Sequence, residues 1–337
     1  MLGKLKADRL KLIVSIDGAD GFAFVRIECD GASFTLPAEN ADRWQERMSG
    51  IDNTGKPCNP VKFQPVRELQ QLHCGEIAAT YGTVVTAGEL RSAIQRIEFA
   101  TDTASTRYAL GGILFDQESA YRFTIAATDS RRLAVQSMAA ATVGEFPDDL
   151  CDRMPFVVPV SAVRLLCESL DKLPDSETVT IAGYRNEFCA ESSAFSIRGQ
   201  LLDGRFPRYR DVIPRSGFNV VATFDRKPLI SAIESAAVVC DEESRGMDFK
   251  FTNGRLGLSA ESSAFGKSDV SISAATVREW NETNTITFDP NYVLDVLKTS
   301  KSDLITFEII DGDTAAIMHD ADDTDGLSVI MPLSRDR

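Results

Sequence analysis

The sequence predicts an α+β protein made of repeated modules, each with a helix packed over an antiparallel sheet, and three observations lead to this prediction. A short apolar strand, a capping residue and an amphipathic helix recur along the chain. The stretches between the copies alternate apolar and polar residues and are bounded by Gly, Asn and Asp. Finally, 337 residues of which 43% are hydrophobic can bury more than one core, which favours two or three domains.

The strand-cap-helix pattern occurs five times, and each copy has a residue suited to a helix's first turn. These helix-start residues are Pro37, Thr86, Pro159, Asp225 and Asp289. They are 49, 73, 66 and 64 residues apart, so the period is nearly even from the second copy onward. Two modules per domain then predict domains at 83–215 and 216–337, with 1–82 as a shortened, divergent first domain.

The strand-rich stretches follow each helix and carry turn residues at short intervals. Examples are MDFKFTNGRLGLSAES at 247–262 and LITFEIIDGDTAAIM at 304–318. Both alternate apolar and polar positions around a Gly-containing turn, which is typical of antiparallel hairpins. We therefore expect about four strands for every helix.

Charge and composition exclude several classes of protein. A formal charge of -14 argues against coating DNA phosphates with a basic surface, so any DNA contact must be local or topological. No stretch approaches the roughly 18 apolar residues of a membrane span, and the N-terminus lacks a secretory core, so we expect a cytoplasmic protein. Seven cysteines are scattered singly and are expected to be free thiols.

Catalytic and metal motifs are weak. His73 and His319 are the two histidines, which leaves no histidine cluster for a metal or for catalysis. The AFGKS segment at 264–268 resembles the end of a phosphate loop but lies between strands. HDADDTDG at 319–326 has calcium-like acids in the wrong phase, so a solvated hairpin loop is expected. We expect no cofactor, no metal and no enzyme activity.

Several longer strings resemble the beta sliding clamp of bacterial DNA polymerase III. They are TRYALGGILFD (106–116), ATDSRRLAV (127–135), LLDGRFPRYRDVIP (201–214), FDPNYVLDVL (288–297) and VIMPLS (329–334). The resemblance covers 83–337 and is weak over 1–82. It implies the DNA clamp fold, with three domains in an arc and a head-to-tail dimer closing a ring around double-stranded DNA. It also implies three kinds of partner: the polymerase III catalytic subunit, a clamp loader and other clamp-motif proteins.

The resemblance further implies a partner-peptide pocket between the second and third domains. Its residues would be Leu110, Thr128, Arg132, Leu133, Pro207, Val212, Tyr292, Val329, Met331, Pro332 and Leu333. Apolar members would take hydrophobic anchors, while Thr128 and Arg132 would fix the polar ends of an extended peptide. The alternative is that the same aliphatic residues only fill cores.

The repeat helices carry cations that a clamp would turn towards DNA without reading bases. They are Arg91, Arg96, Arg164, Lys227 and Lys298, with Arg43, Arg47 and Lys301 as further candidates. An ordinary solvated helix surface is the alternative for each of them. Val238 and Val239 match the family's ring-closing contact, which would meet the 67–82 segment of a second copy.

Three departures from the family's pattern bear on peptide preference. Ser130 and Arg131 stand where the family commonly has Gly and His, Asp211 replaces a basic residue, and the tail ends SRDR. The leading hypothesis is a processivity clamp. The first alternative is a divergent paralogue that keeps the pocket but not ring closure and acts as a scaffold. The second is an enzyme built on the same repeat.

Overall fold

The structure is a computed structural model. It describes residues 11–17, 22–29, 32–38, 81–102, 109–144, 155–184, 186–240, 245–252, 254–263, 265–280 and 284–333. The chain divides into two compact units, Met1–Gly82 and Thr83–Arg337.

The first unit contains an antiparallel sheet in the order β1-β2-β3. Its strands are Lys11–Asp17, Phe22–Cys29 and Ala32–Ala38. Pro37 lies inside β3 opposite Phe24, so the prediction that a helix begins at Pro37 is wrong. A proline is tolerated there because β3 is at an end of the strand order, where a missing N–H costs no ladder bond. His73, Arg43 and Arg47 lie outside the described residues.

Four helices lie in the described part of the second unit, at the predicted places. They are α1 (Ala87–Ile97), α2 (Val160–Leu170), α3 (Arg226–Ala236) and α4 (Pro290–Thr299). Their N-cap residues are Thr86, Pro159, Asp225 and Asp289, which confirms the four later copies of the pattern. Asp289 accepts a hydrogen bond from the Asn291 N–H at 2.9 Å, the usual way an aspartate satisfies an orphan amide at a helix start.

In the described part of the chain, β4 precedes α1, and five, four, five and three strands follow α1, α2, α3 and α4 in turn. In the first half they are β4 (Tyr81–Thr86), β5 (Gly112–Ser119), β6 (Arg122–Thr128), β7 (Arg132–Ala139), β8 (Ala141–Gly144), β9 (Phe156–Pro159), β10 (Thr178–Tyr184), β11 (Glu187–Glu191) and β12 (Ser196–Gln200). In the second half they are β13 (Val220–Asp225), β14 (Met247–Thr252), β15 (Arg255–Ser262), β16 (Gly266–Ser273), β17 (Thr276–Trp280), β18 (Asn284–Phe288), β19 (Leu304–Ile309), β20 (Ala316–Asp320) and β21 (Gly326–Ile330).

The strands form three sheets in this unit, and one of them joins its two halves. The orders are β12-β11-β10-β4-β8, β17-β13-β19-β20-β21-β7-β6-β5-β9 and β16-β15-β14-β18. The nine-stranded sheet crosses between the halves where β21 pairs antiparallel with β7, from Gly326 opposite Gln136 to Ile330 opposite Arg132. A Cβ on Gly326 would lie 2.2 Å from the Gln136 side-chain oxygen, so a larger residue at this crossing would displace the Gln136 amide.

Each half has its own apolar core under its helices. Leu90 and Ile94 of α1 are fully buried in the first core, which extends to Ala190. Phe224, Phe251 and Phe307 meet mainly edge to face in the second. These aromatic rings supply large buried area as well as favourable pair geometry.

The helices also pack on one another across the junction between the halves. The order is α2, α1, α4, α3, with α1 against α4 at the centre. A helix layer therefore spans the same junction as the nine-stranded sheet. No helix in the described residues has both the length and the apolar character needed to cross a membrane.

Candidate functional site

The predicted pocket lies at the junction where β7 meets β21. Leu133 and Val329 are directly opposite each other in that pairing. Both belong to a third apolar cluster with Tyr209 and Ile317, on strands and a loop of both halves. Leu133 and Val329 are 3% and 2% exposed, so they form a packed floor and offer little surface to a ligand. Leu110 is also buried, in the turn before β5, where its carbonyl accepts the Asp102 N–H at 3.0 Å.

Other members of the set are open to solvent. Val212 is 54% exposed and Met331 is 45% exposed. Pro207 is exposed, and Tyr292, Pro332 and Leu333 are half-buried. The Met331 N–H donates to the Arg131 carbonyl at 2.9 Å, which places the segment after β21 beside the β6–β7 turn. The structure therefore places Met331, from the C-terminal part of the predicted set, next to the β6–β7 turn that carries Thr128 and Arg132. Met331 is the most accessible apolar side chain of the 328–333 segment.

The polar residues of the set differ from their expected role. The Thr128 hydroxyl donates to the Arg132 carbonyl at 2.7 Å and accepts the Ser130 N–H at 3.2 Å. The Arg132 guanidinium donates to Asp129 and Asp295. These groups were expected to fix a peptide's polar ends. Both groups already make bonds within the chain, so a peptide would have to share or replace those bonds.

Ser130 has a φ of +76°, in the left-handed region that favours glycine. A non-glycine residue there costs roughly 1–2 kcal/mol. The Asp129 carboxylate holds the turn by accepting the N–H groups of Arg131 and Arg132, each at 2.9 Å. The β6–β7 turn thus holds Ser130 in a conformation that glycine would adopt without strain.

Three of the predicted DNA-facing cations lie exposed on the helix layer. Arg164 pairs with Glu98, and Lys298 lies 3.1 Å from Glu234. Lys227 is 80% exposed, with its Nζ 4.0 Å from Asp303. Each cation has a carboxylate beside it, so the layer is only weakly cationic.

Arg91 is less available than these three. Its guanidinium pairs with Asp171 and Asp175 and donates to the Leu170 carbonyl at 3.3 Å. Its side chain is 22% exposed. Arg91 therefore fastens α1 to the end of α2 and the turn that follows.

For Arg96 the prediction of a DNA-facing role is wrong. This α1 residue forms ion pairs with Asp320 and Asp323 on the far side of the junction. Its side chain is 15% exposed and that of Asp320 is 4% exposed. A guanidinium held between two carboxylates is not available to a phosphate. Arg96 fastens the two halves of the unit together.

The acidic segment at 319–326 forms the turn of the β20–β21 hairpin, as predicted, but it is not wholly solvated, because Asp320 ends β20 with its side chain 4% exposed. Its acids have a function that sequence reasoning missed, because Asp320 and Asp323 bind Arg96 and Asp325 binds Arg122 at 3.0 Å. The density of acids was the only signal in the sequence. Burial pushes the pKa of Asp323 upward, but the Asp325 N–H and the Arg96 guanidinium outweigh it, so the pKa lies below its usual value.

Metal and phosphate chemistry finds no support in the part of the chain that the structure describes. No group of three or more His, Cys, Asp or Glu side chains there could hold a metal ion. Among the cysteines of that part, Cys167 and Cys189 are free thiols. Residues 266–268 open strand β16 instead of a helix, so they lack the geometry of a phosphate loop.

Val238 lies in a short 3-10 turn, Ala237–Val239, that follows α3. Its side chain is 77% exposed, while Val239 packs against the second core. The turn contacts β16, which is at the end of the four-stranded sheet. Of the expected opposing surface, 67–82, residues 67–80 lie outside the described residues.

A layer of helices over sheets that continues across the junction of the two halves defines a subunit of the clamp-fold class. Two family models match the chain: the central domain of the DNA polymerase III beta subunit at 84–208 and its C-terminal domain at 210–334. The chain therefore belongs to the DNA polymerase III beta subunit family.

Individual relatives agree with this assignment. The beta sliding clamp of Pseudomonas aeruginosa is 30% identical over 250 residues, which are 74% of this chain and 64% of that protein. The beta sliding clamp of Chlamydia pneumoniae is 30% identical over 247 residues, or 73% and 63% of the two chains. The chain thus spans less than two thirds of the length of these curated relatives.

Solved structures confirm the predicted fold class. A DNA polymerase sliding clamp from Pseudomonas aeruginosa has a TM-score of 0.69 and 23% identity, and covers 96% of this chain and 77% of its own. The sliding clamp from Bacillus subtilis has a TM-score of 0.68 and 20% identity, covering 96% and 75%. At these identities the likeness shows the clamp fold.

Proposed function

We propose that this chain is a DNA sliding clamp, a non-catalytic processivity factor that encircles duplex DNA and tethers DNA polymerase. One observation carries the proposal: the helix layer and the nine-stranded sheet both run unbroken across the junction of the two halves. A wall built in this way can enclose a duplex and hold its shape without bound ligand. Membership of the beta subunit family supports the same function.

The electrostatics of the helix layer suit sliding better than tight binding. Arg164, Lys227 and Lys298 are exposed, and each has a nearby carboxylate. Phosphate attraction is then local and weak, and the formal charge of -14 opposes wide coating of DNA. Retention on DNA would come from enclosure, which needs no strong phosphate contact.

The proposal includes the assembly and its partners. A second copy would close the ring through Val238 and Val239, and the polymerase III catalytic subunit, the clamp loader and other clamp-motif proteins would dock at the pocket. The domains would be 1–82, 83–215 and 216–337, which accords with the unit boundary at Gly82 and the two family matches. The cytoplasmic nucleoid would be the place of action.

Retention on DNA of different topology tests the proposal. After loading by a bacterial clamp loader, the labelled chain should stay on nicked circular DNA and leave the same DNA once it is linearised. Gel filtration of the DNA fraction measures both states. Equal retention on circles and on linear DNA would instead favour the alternative of a scaffold without ring closure.

The pocket has its own test at Met331. The probe is a fluorescein-labelled peptide with the C-terminal clamp-binding segment of a polymerase III catalytic subunit. Replacing Met331 with alanine should weaken its binding by about 1–3 kcal/mol, the usual cost of losing a buried hydrophobic anchor. Met331 is 45% exposed, so the change opens no cavity in a core. Leu165→Ala is the matched control, since Leu165 is also 45% exposed but lies on α2. Unchanged affinity in Met331→Ala, measured by fluorescence anisotropy, would remove the pocket assignment.

A further inference from the structure

Arg132 is at the centre of the junction between the two halves. It begins β7 in the first half, and Asp295, one of its partners, lies on α4 in the second. Phe99, whose carbonyl accepts from Arg132, packs against the apolar cores of both halves. One side chain thus links the β6–β7 turn, the end of α1 and helix α4.

All three nitrogens of the Arg132 guanidinium have partners within the chain. Nε donates to Asp129 at 2.9 Å, Nη1 donates to Asp295 at 2.5 Å, and Nη2 donates to the Phe99 carbonyl at 2.8 Å. The side chain is 12% exposed. Such a network leaves the guanidinium little freedom to turn towards a ligand, because each move would break a charge-assisted bond.

Two aromatic rings add to this arrangement. The guanidinium carbon lies 4.5 Å from the centre of the Tyr292 ring and 5.1 Å from that of Phe99. Tyr292 and Asp295 are three positions apart on α4, so they lie on neighbouring positions of one helix face. Arg132 therefore contacts both Tyr292, a residue of the predicted pocket, and Asp295 on the same helix.

From this geometry we infer that Arg132 is a positioning residue of the partner pocket. It sets the distance between α4 and the β6–β7 turn, and so the shape of the cleft at Tyr292 and Met331, and it does not itself bind the peptide's carboxylate. The inference rests on the proposed function. On this view, affinity for a partner depends on the Arg132 bonds that link the two halves as well as on the apolar residues of the pocket.

Asp295 separates positioning from direct binding, because the two roles give opposite results. If Arg132 positions the pocket, Asp295→Ala should reduce the affinity for the labelled polymerase peptide by on the order of 10-fold, as Arg132→Met should. In the double variant the two losses should not add, since both break one link. If Arg132 binds the peptide directly, Asp295→Ala frees the guanidinium, and affinity should rise or stay constant. That result would overturn the inference.

Two further comparisons sharpen the test. Arg132→Lys keeps the charge but cannot make three directed bonds and stack on a ring, so it should lose affinity as Arg132→Met does. Arg132→Met should lose the same factor of affinity for a C-terminally amidated peptide as for the free-acid peptide, because positioning involves no contact between Arg132 and the peptide's carboxylate. A loss confined to the free-acid peptide, or full binding by Arg132→Lys, would contradict positioning.

Amide hydrogen exchange tests the structural role of Arg132 without relying on peptide binding. In Arg132→Met, the amides of α4 and of 328–333 should exchange faster, while those of β14 and β15, away from the junction, should not change. If the unaltered chain binds no polymerase peptide, the pocket fails as a function and exchange still decides the role of Arg132. Unchanged exchange in α4 would refute the fastening.

Discussion

Replacing Arg96 with methionine should lower the free energy of unfolding by about 3–5 kcal/mol, the usual cost of removing one partner from a buried ion pair. Methionine keeps most of the apolar stem of Arg96 but removes the guanidinium. The Asp320 carboxylate, which is 4% exposed, then loses its ion pair with Arg96. The Ser300 hydroxyl still donates to that carboxylate, which offsets a small part of the loss. Urea unfolding followed by circular dichroism measures the difference.

Arg164→Met is the matched control for this prediction. Arg164 also forms an ion pair on the helix layer, with Glu98, but it is 57% exposed, so its loss should cost less than about 1 kcal/mol. Equal effects of the two substitutions would show that burial does not decide the strength of the Arg96 contacts. The junction would then depend on apolar packing and the β7–β21 ladder.

The Arg96 contacts also imply a dependence on pH. The pKa of Asp323 is lowered in the folded chain, in part by the Arg96 guanidinium. Such a group contributes stability above its unfolded pKa, and the contribution is lost as the pH falls through the folded pKa. The acid limb of the stability profile should therefore be shallower in Arg96→Met than in the unaltered chain.

Local patterns were sufficient to predict the helices of the second unit. Thr86 and Asp289 each precede an apolar spacing of three and four, so cap and periodicity agree on the same start. Pro37 fits the same local pattern but lies in a strand at the end of its sheet's order. A proline suits both a helix's first turn and an outer strand, and its neighbours alone do not decide between them.

Charged positions were harder to predict than helices. Arg96 and Arg164 look alike in the sequence, as cations on the polar side of an amphipathic helix. Their environments differ because the partners of Arg96 are more than 220 residues away, in a loop brought close by the β7–β21 pairing. Likewise, Leu133 and Val329 form a floor because they oppose each other in that ladder, a register that no local pattern encodes.

Replacing Val238 with glutamate should reduce the affinity of the proposed ring interface by about 30- to 1000-fold, because a charge would have to be buried in an apolar contact. The side chain is 77% exposed in the single subunit, so folding should be unaffected. Sedimentation velocity should show the dimer replaced by the monomer. Retention on nicked circular DNA should fall to the level on linear DNA, since a ring with a broken contact no longer encloses the duplex.

Val277→Glu is the control for the effect of adding a negative charge at an exposed valine. Val277 is 41% exposed on β17, so the same charge is added to another exposed valine that is not part of the proposed contact. It should leave both the dimer and its retention on circles intact. A Val238→Glu protein that still dimerises and stays on circular DNA would place ring closure elsewhere in the chain. A protein that dimerises but slides off circles would separate assembly from enclosure, and would leave the pocket as the chain's main working surface.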